Sequence, residues 1–128
     1  MRIIFFSLLL SGLLGCVPDD EPAIIDSSLN GEWTLTSVSC FCYFEPENDF
    51  TLTKLIFDAK NDKLTVIQNG KYEYFREAGE YSYGGQADRI GFSDNTVYRF
   101  EVYGDVLTLT FQDDPLLADD EIVYVLKR

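Results

Sequence analysis

Three groups of residues carry enough functional chemistry to be weighed first. Cys40-Phe41-Cys42 sets two thiols two positions apart. On an extended strand such residues share a face, and their Cα atoms stand near the ~7 Å upper limit for a disulfide, so a bridge needs a local bend. The pair is open to three readings: a bridge across a bend, two free or buried thiols, or a metal or redox pair. Asp113-Asp114 and Asp119-Asp120-Glu121 place five carboxylates within nine residues. Calcium takes roughly six to eight oxygen ligands, but the Asp-x-Asp-x-Asp-Gly spacing is missing. A solvated acidic loop and no metal site are expected. The third group is aromatic: Tyr72, Tyr74, Phe75, Tyr81, Tyr83, Phe92, Tyr98 and Phe100. Such rings either fill a core or line a cavity, since tyrosine joins apolar area to a polar tip. Tyr81, Tyr83, Phe92, Tyr98 and Phe100 are the cavity-wall candidates.

Composition removes other chemistry. The 128 residues hold 10 Lys+Arg against 22 Asp+Glu and no histidine, a formal charge of -12. An anionic surface of that size is repelled by phosphates, which excludes nucleic-acid binding. Without histidine there is no Ser-His-Asp or Cys-His catalysis and no imidazole-ligated zinc. Paired carboxylates could work as general acid and base, yet no motif marks a pair among so many. No catalytic residue, cofactor or enzymatic role is expected. Hydrophobic residues make up 46% of the chain, enough for a packed core.

The elements that must position these groups are strands. After Asn30 the apolar residues alternate with period two between turn residues at short spacing. The strands expected are Gly31–Cys42, Thr51–Asp58, Lys63–Gln68, Lys71–Arg76 with Gly79–Tyr83, Arg89–Phe92, Thr96–Tyr103, Val106–Gln112 and Glu121–Lys127. Eight result, or nine if residues 71–83 break at Ala78-Gly79. Asn69-Gly70 has the composition of a two-residue hairpin turn, and Gly84-Gly85 reads as a break. By parity Tyr98, Phe100 and Val102 share one face, and Arg99 points outward towards a carboxylate. Hairpin-length connections favour an all-β, eight-stranded antiparallel up-and-down barrel, whose closure abolishes exposed edges. A barrel of this size is filled by side chains or holds one small ligand.

The first residues read as an address. Arg2 and the amino terminus precede Ile3–Leu14, a twelve-residue run with nine large apolar residues. A membrane-spanning helix needs about 20 residues, whereas a signal-peptide core has this shorter length. Leu13-Leu14-Gly15-Cys16 resembles the bacterial lipobox. That resemblance implies removal of residues 1–15, diacylation of the Cys16 thiol and acylation of the new terminus, palmitate-type chains tying the protein to a membrane. Two or more chains are needed for stable attachment. Residues 16–29 carry Asp19, Asp20, Glu21 and Asp26 between Pro18, Pro22 and Ser27-Ser28, the composition of a flexible acidic tether. The acidic stretch after the cysteine resembles the surface-export signal of lipoproteins from Bacteroidetes-type bacteria. The implied location is the bacterial outer membrane, facing the surface or the periplasm.

Residues 30–128 then form the folded domain. Leu29-x-Gly31-x-Trp33-x-Leu35 resembles the opening signature of lipocalin-like domains, within the calycin group. Tyr81-Ser82-Tyr83, Leu107-Thr108-Leu109 and Tyr124-Val125-Leu126-Lys127-Arg128 are similar to later strands of that family and its basic terminus. The resemblance implies a barrel with one open mouth. It also implies that Trp33 plugs the closed end under Arg128, with Lys127 as the alternative partner. Such a cation–π contact is worth about 0.5–2 kcal/mol. It transfers no ligand-contact residues. The function expected is non-enzymatic binding of a small apolar or amphipathic ligand through the mouth, with residues 41–50 as a flap. The alternative is a solid barrel that binds a protein or glycan by its outer face or loops.

Overall fold

The computed structural model describes residues 27–40, 42–112 and 121–128. The signal segment, Cys16, most of the tether, Phe41 and the acidic run 113–120 lie outside the described residues. Eight strands follow in chain order: β1 (Gly31–Ser39), β2 (Thr53–Asp58), β3 (Lys63–Gln68), β4 (Gly79–Gln86), β5 (Arg89–Phe92), β6 (Val97–Tyr103), β7 (Val106–Phe111) and β8 (Val123–Lys127). Each pairs antiparallel with its sequence neighbour, and β8 returns to β1, so the sheet is a closed up-and-down barrel. A register shift between Leu35 and Ser37 lets β1 bend across from β2 to β8. Such irregularities increase local twist, which closure requires.

Alternation decides what fills the interior. Trp33 and Leu35 of β1, Leu55 and Phe57 of β2, and Leu64 and Val66 of β3 all point inward and are buried. So do Tyr98 and Phe100 of β6, Leu107 and Leu109 of β7, and Tyr124 and Leu126 of β8. Full burial of such a side chain contributes roughly 1.5–3 kcal/mol. Arg99 is exposed, as its parity requires, but its cross-strand neighbours are Arg89 and Thr110, and among the described residues its side chain makes no ion pair within 4 Å.

The loops differ in kind at the two ends. At one end the turns are short: residues 59–62, Ala87-Asp88 and Gly104-Asp105. Asp62, Ala87 and Gly104 take positive φ there (52°, 53° and 60°), which sharp reversals between twisted strands demand. At the other end lie the described residues 42–52, 69–78 and 93–96 of the connections there.

Several expected boundaries are corrected. Lys71–Arg76 is not a strand: residues 69–78 form an irregular connection between β3 and β4. Asn69-Gly70 is not a two-residue hairpin turn, and neither residue has positive φ. The Asn69 amide donates to the Leu52 carbonyl at 3.0 Å instead, tying this connection to the one before β2. Gly84-Gly85 does not break the chain but sits within β4. A Cβ on Gly85 would collide with the Arg89 carbonyl oxygen, so glycine serves the tight β4–β5 approach. β1 ends at Ser39 rather than Cys42. The folded domain starts before Asn30, because Ser27–Leu29 form a 3-10 turn and Leu29 is fully buried in the core.

Candidate functional site

The short-turn end is sealed. Trp33 is fully buried, and its indole N–H donates to the Leu29 carbonyl at 2.8 Å. The Arg128 guanidinium lies 4.4 Å from the centre of the Trp33 ring system. It also donates to the carbonyls of Ser28 (3.0 Å), Asn30 (3.4 Å) and Gly104 (3.2 Å), and stands 3.7 Å from Asp105. One cation thus joins both ends of the domain to the β6–β7 turn. Arg128, not Lys127, is the residue over the indole.

The interior behind this plug is occupied by side chains. Of the five cavity-wall candidates, Tyr83, Phe92, Tyr98 and Phe100 are buried in the core. Tyr83 packs edge-to-face on Phe57 at 5.7 Å, and Phe92 on Tyr98 at 5.9 Å. Tyr81 is half-buried, and its hydroxyl donates to the Glu77 carbonyl at 2.6 Å. Burial pushes the Tyr83 and Tyr124 phenols up to about 12, with Asp62 and Asp58 adding to the effect at Tyr83 and Tyr98 at Tyr124. Burial raises Tyr98 as well, and the Arg76 cation opposes that rise.

The long-loop end is where sequence reasoning missed the main actors. The β3–β4 connection turns Phe75 and Arg76 into the mouth. Phe75 wedges against Tyr98 (5.0 Å) and Tyr124 (5.2 Å). The Arg76 side chain is only 10% exposed and stacks 4.0 Å from the Phe92 ring centre. Its Nη2 pairs with Asp94 Oδ2 at 3.0 Å and donates to the Thr96 hydroxyl, while its Nε is buried without a partner. Hydrogen bonds from the Thr96 hydroxyl and amide, with help from Arg76, hold the Asp94 carboxyl below the usual carboxylate range. A polar hollow of about 260 Å³ opens here, walled in part by Tyr81, Tyr98 and Asp94. No motif announces Arg76; the only trace in sequence is a lone cation after Tyr72-x-Tyr74-Phe75.

Beside this insert the two longest described wall segments, 43–52 and 69–74, face each other across a cleft. Phe44, Phe50 and Tyr74 form a three-ring cluster with centroids 4.8 to 5.8 Å apart, which locks the segments together. Cys40 and Cys42 are disulfide-bonded with Cα atoms 5.1 Å apart, so the bend that a bridge requires is present where β1 stops. A ring closed over so few residues stabilises by about 1–2 kcal/mol through chain entropy, and here it fixes the start of the wall. The Asp49 side chain caps the 3-10 turn Phe50–Leu52 by accepting from the Thr51 amide at 2.9 Å. Between the walls lie two adjoining cavities of about 210 and 300 Å³ that share Glu45, Asn48, Tyr72 and Tyr74. Tyr43 stands 85% exposed at the edge, and Tyr72 and Leu52 are also exposed. Of residues 41–50, expected as a flap at the mouth, 43–50 form one wall of this cleft.

The described residues contain no group of three or more His, Cys, Asp or Glu that could hold a metal ion. Among them no helix is long and apolar enough to cross a membrane. The architecture is therefore that of a closed eight-stranded antiparallel barrel, plugged at one end and lined with loops at the other, compatible with a lipocalin-like fold. In comparisons with known proteins, no family model, no curated protein and no solved structure matches the chain.

Proposed function

We propose that this chain is a lipid-anchored, non-enzymatic binding module with a lipocalin-like barrel, which takes a small amphipathic ligand in its rim cleft rather than in its lumen. The observation that carries this reading is the contrast between a lumen occupied by Phe92, Tyr98, Phe100 and the inserted Phe75 and a rim cleft with exposed Tyr43 and Tyr72. Ligand sites are concave and lined by aromatic surface with a few polar groups, and the cleft has that composition. The anchor rests on the n-region, apolar run, Gly15 and Cys16, and the acidic segment after them supports an outer-membrane location.

Binding is tested with n-octanol, followed by amide NMR on the intact mature domain. Shifts confined to residues 43–52 and 69–74, and lost in Tyr43→Ala, support the rim site. Shifts centred on Phe100 and Leu109 would assign the ligand to the lumen instead. Anchoring is tested by mass analysis of the protein from its own membranes. An acylated Cys16 terminus is expected, and Cys16→Ser should release the protein to the soluble fraction.

A further inference from the structure

The outer face of β4, β5 and β6 carries two cross-strand pairs that the fold itself does not favour. In the row Gln86–Arg89–Arg99 the two arginines stand directly opposite each other, and both are exposed. Like charges in that relation lie about 5 Å apart at Cβ and destabilise the sheet. Lys54, Lys63, Arg76 and Arg128 each meet a carboxylate, but among the described residues neither Arg89 nor Arg99 makes an ion pair within 4 Å. The chain holds 22 Asp+Glu against 10 Lys+Arg, so two facing cations left bare are conspicuous. The neighbouring outward row is Gly84–Gly91–Val97. Glycine inside a strand gives up packing and conformational entropy, and it marks places where a ligand or another backbone comes close. Gly85 has such a reason within the fold, the Arg89 carbonyl oxygen beside it. Gly84 and Gly91 have none. Neither takes positive φ, a Cβ on Gly84 would meet nothing within 4 Å, and one on Gly91 would make only ordinary contacts at 3.8 Å. A shallow hollow of about 440 Å³ lies over this bare floor, bordered by Gln86, Arg89 and Val97.

Floor and cations together fit one kind of partner. Adjacent guanidiniums offer planar donor forks that match the paired oxygens of a carboxylate. The glycine floor lets a ring lie flat against backbone where side chains would otherwise stand. Gln86 beside it both donates and accepts, as ring hydroxyls require. An extended peptide finds no free edge to join on a closed barrel. The -12 charge of the chain repels a densely charged anion at long range, so the fitting partner spaces its charges one to a ring. We infer that the outer face of β4–β6 is a second binding surface, for a uronic-acid saccharide whose ring lies on Gly84 and Gly91 and whose carboxylate meets Arg89 and Arg99. This surface is separate from the rim cleft and does not rest on it.

The test is an amide NMR titration of the full mature chain with digalacturonate and with its neutral methyl ester, alongside unfolding midpoints. Digalacturonate should shift the amides of Gly84, Gln86, Arg89, Gly91 and Arg99, and the ester should bind about tenfold weaker. Arg89→Gln and Arg99→Gln should each weaken digalacturonate about three- to fivefold, as the loss of an exposed ion pair does, with the midpoint unchanged or raised. Gly84→Val, and Gly91→Ala as a smaller filling of the floor, should weaken acid and ester alike and leave the midpoint unchanged or raised. A fall in midpoint in both arginine variants, or in both glycine variants, would make those residues parts of the fold and overturn the inference. Equal binding of acid and ester, or no shift on this face, would overturn it as well. Tetraglutamate or phosphatidylglycerol vesicles that shift the same amides as strongly would put an acidic peptide or a lipid head group in the saccharide's place and overturn the assignment. Tyr43→Ala should leave digalacturonate binding unchanged. A loss there would move the sugar to the rim and overturn this surface, whereas failure of n-octanol at the rim would sink the rim reading alone.

Discussion

Both ends of the barrel lay a guanidinium on an aromatic face, and they use the pairing differently. At the plugged end Arg128 covers Trp33 at 4.4 Å and satisfies three backbone carbonyls. Its partners are the segment leading into β1 and the β6–β7 turn. At the rim end Arg76 covers Phe92 at 4.0 Å and pairs with Asp94 and Thr96. It arrives from the middle of a loop, and only a loop could carry it there. The plug closes the sheet on itself, whereas the rim insert fills a mouth that the sheet leaves open. The difference places closure of the sheet at one end and the filling of its mouth at the other.

The sharpest way to break this comparison is to remove one ring from each end. Trp33→Ala should cost about 3–5 kcal/mol, the usual loss for a fully buried aromatic. Phe75→Ala should cost less, about 1–3 kcal/mol, because Phe75 is half-buried and its site can relax. Denaturant unfolding of the two variants gives both values. Equal losses would mean that the rim is as structural as the plug.

Alkali should strain both ends at once. Tyr83, near Asp58 at the end of β2 and Asp62 in the turn after it, and Tyr124, packed on Phe75, both have phenols pushed up to about 12. Below pH ~10 these groups are neutral whether the chain is folded or not, and their contribution is fully present. Between about pH 10 and 12 the unfolded chain ionises them while the folded barrel holds them protonated, so stability falls as pH rises. The loss should be on the order of 2 kcal/mol per tyrosine by pH 12. Tyr124→Phe and Tyr83→Phe should each flatten part of that slope in unfolding curves taken at stepped pH. A wild-type curve with no slope above pH 10 would show that these phenols are not held neutral.

The two arginines come next in size. Arg76→Ala should cost roughly 2 kcal/mol, since a desolvated cation–π contact and a hydrogen-bonded ion pair are lost together. Arg128→Ala should cost about 1 kcal/mol, because its side chain is 35% exposed and water replaces part of what is removed. The reverse order in thermal unfolding would make the plug the tighter of the two pairings.

How much of this was legible in the sequence also divides between the ends. Strand alternation placed Trp33, Leu55, Phe57, Leu64, Tyr98, Phe100, Leu107 and Leu109 inside, because a closed barrel with one apolar face obeys period two strictly. The plug was legible by resemblance rather than by alternation: the Gly-x-Trp opening and the closing arginine resemble the lipocalin-like pattern, and Arg128 lies one residue past the end of β8. The rim did not announce itself. Lys71–Arg76 is rich in tyrosine and phenylalanine, which strand propensity favours, yet Phe75 and Arg76 are drawn from that path by rings that lie far away in sequence. Asn69-Gly70 resembles a hairpin turn, but its amide is captured by Leu52. Gly84-Gly85 resembles a breaker, but Gly85 is needed for a backbone approach within β4. The cleft depends on two loops meeting, and no local pattern encodes a meeting. Its tyrosines were visible as types and its carboxylates as charge; their juxtaposition was not.

The smallest expected effect tests the filled interior most directly. The Tyr83 hydroxyl is buried without a hydrogen-bond partner, while its ring packs on Phe57 and Phe92 at 5.7 and 6.5 Å. A buried polar atom that is not hydrogen-bonded costs free energy, whereas the ring beneath it is stabilising. Tyr83→Phe keeps the ring and removes the penalty. At pH 7 the variant should be as stable as the wild type or more stable by up to about 1 kcal/mol, and it should retain the same rim binding. A loss of 1 kcal/mol or more in denaturant midpoint analysis would mean that the hydroxyl has a partner inside the barrel. The lumen would then hold something polar beyond the side chains that fill it, and the assignment of ligand binding to the rim would have to move inward.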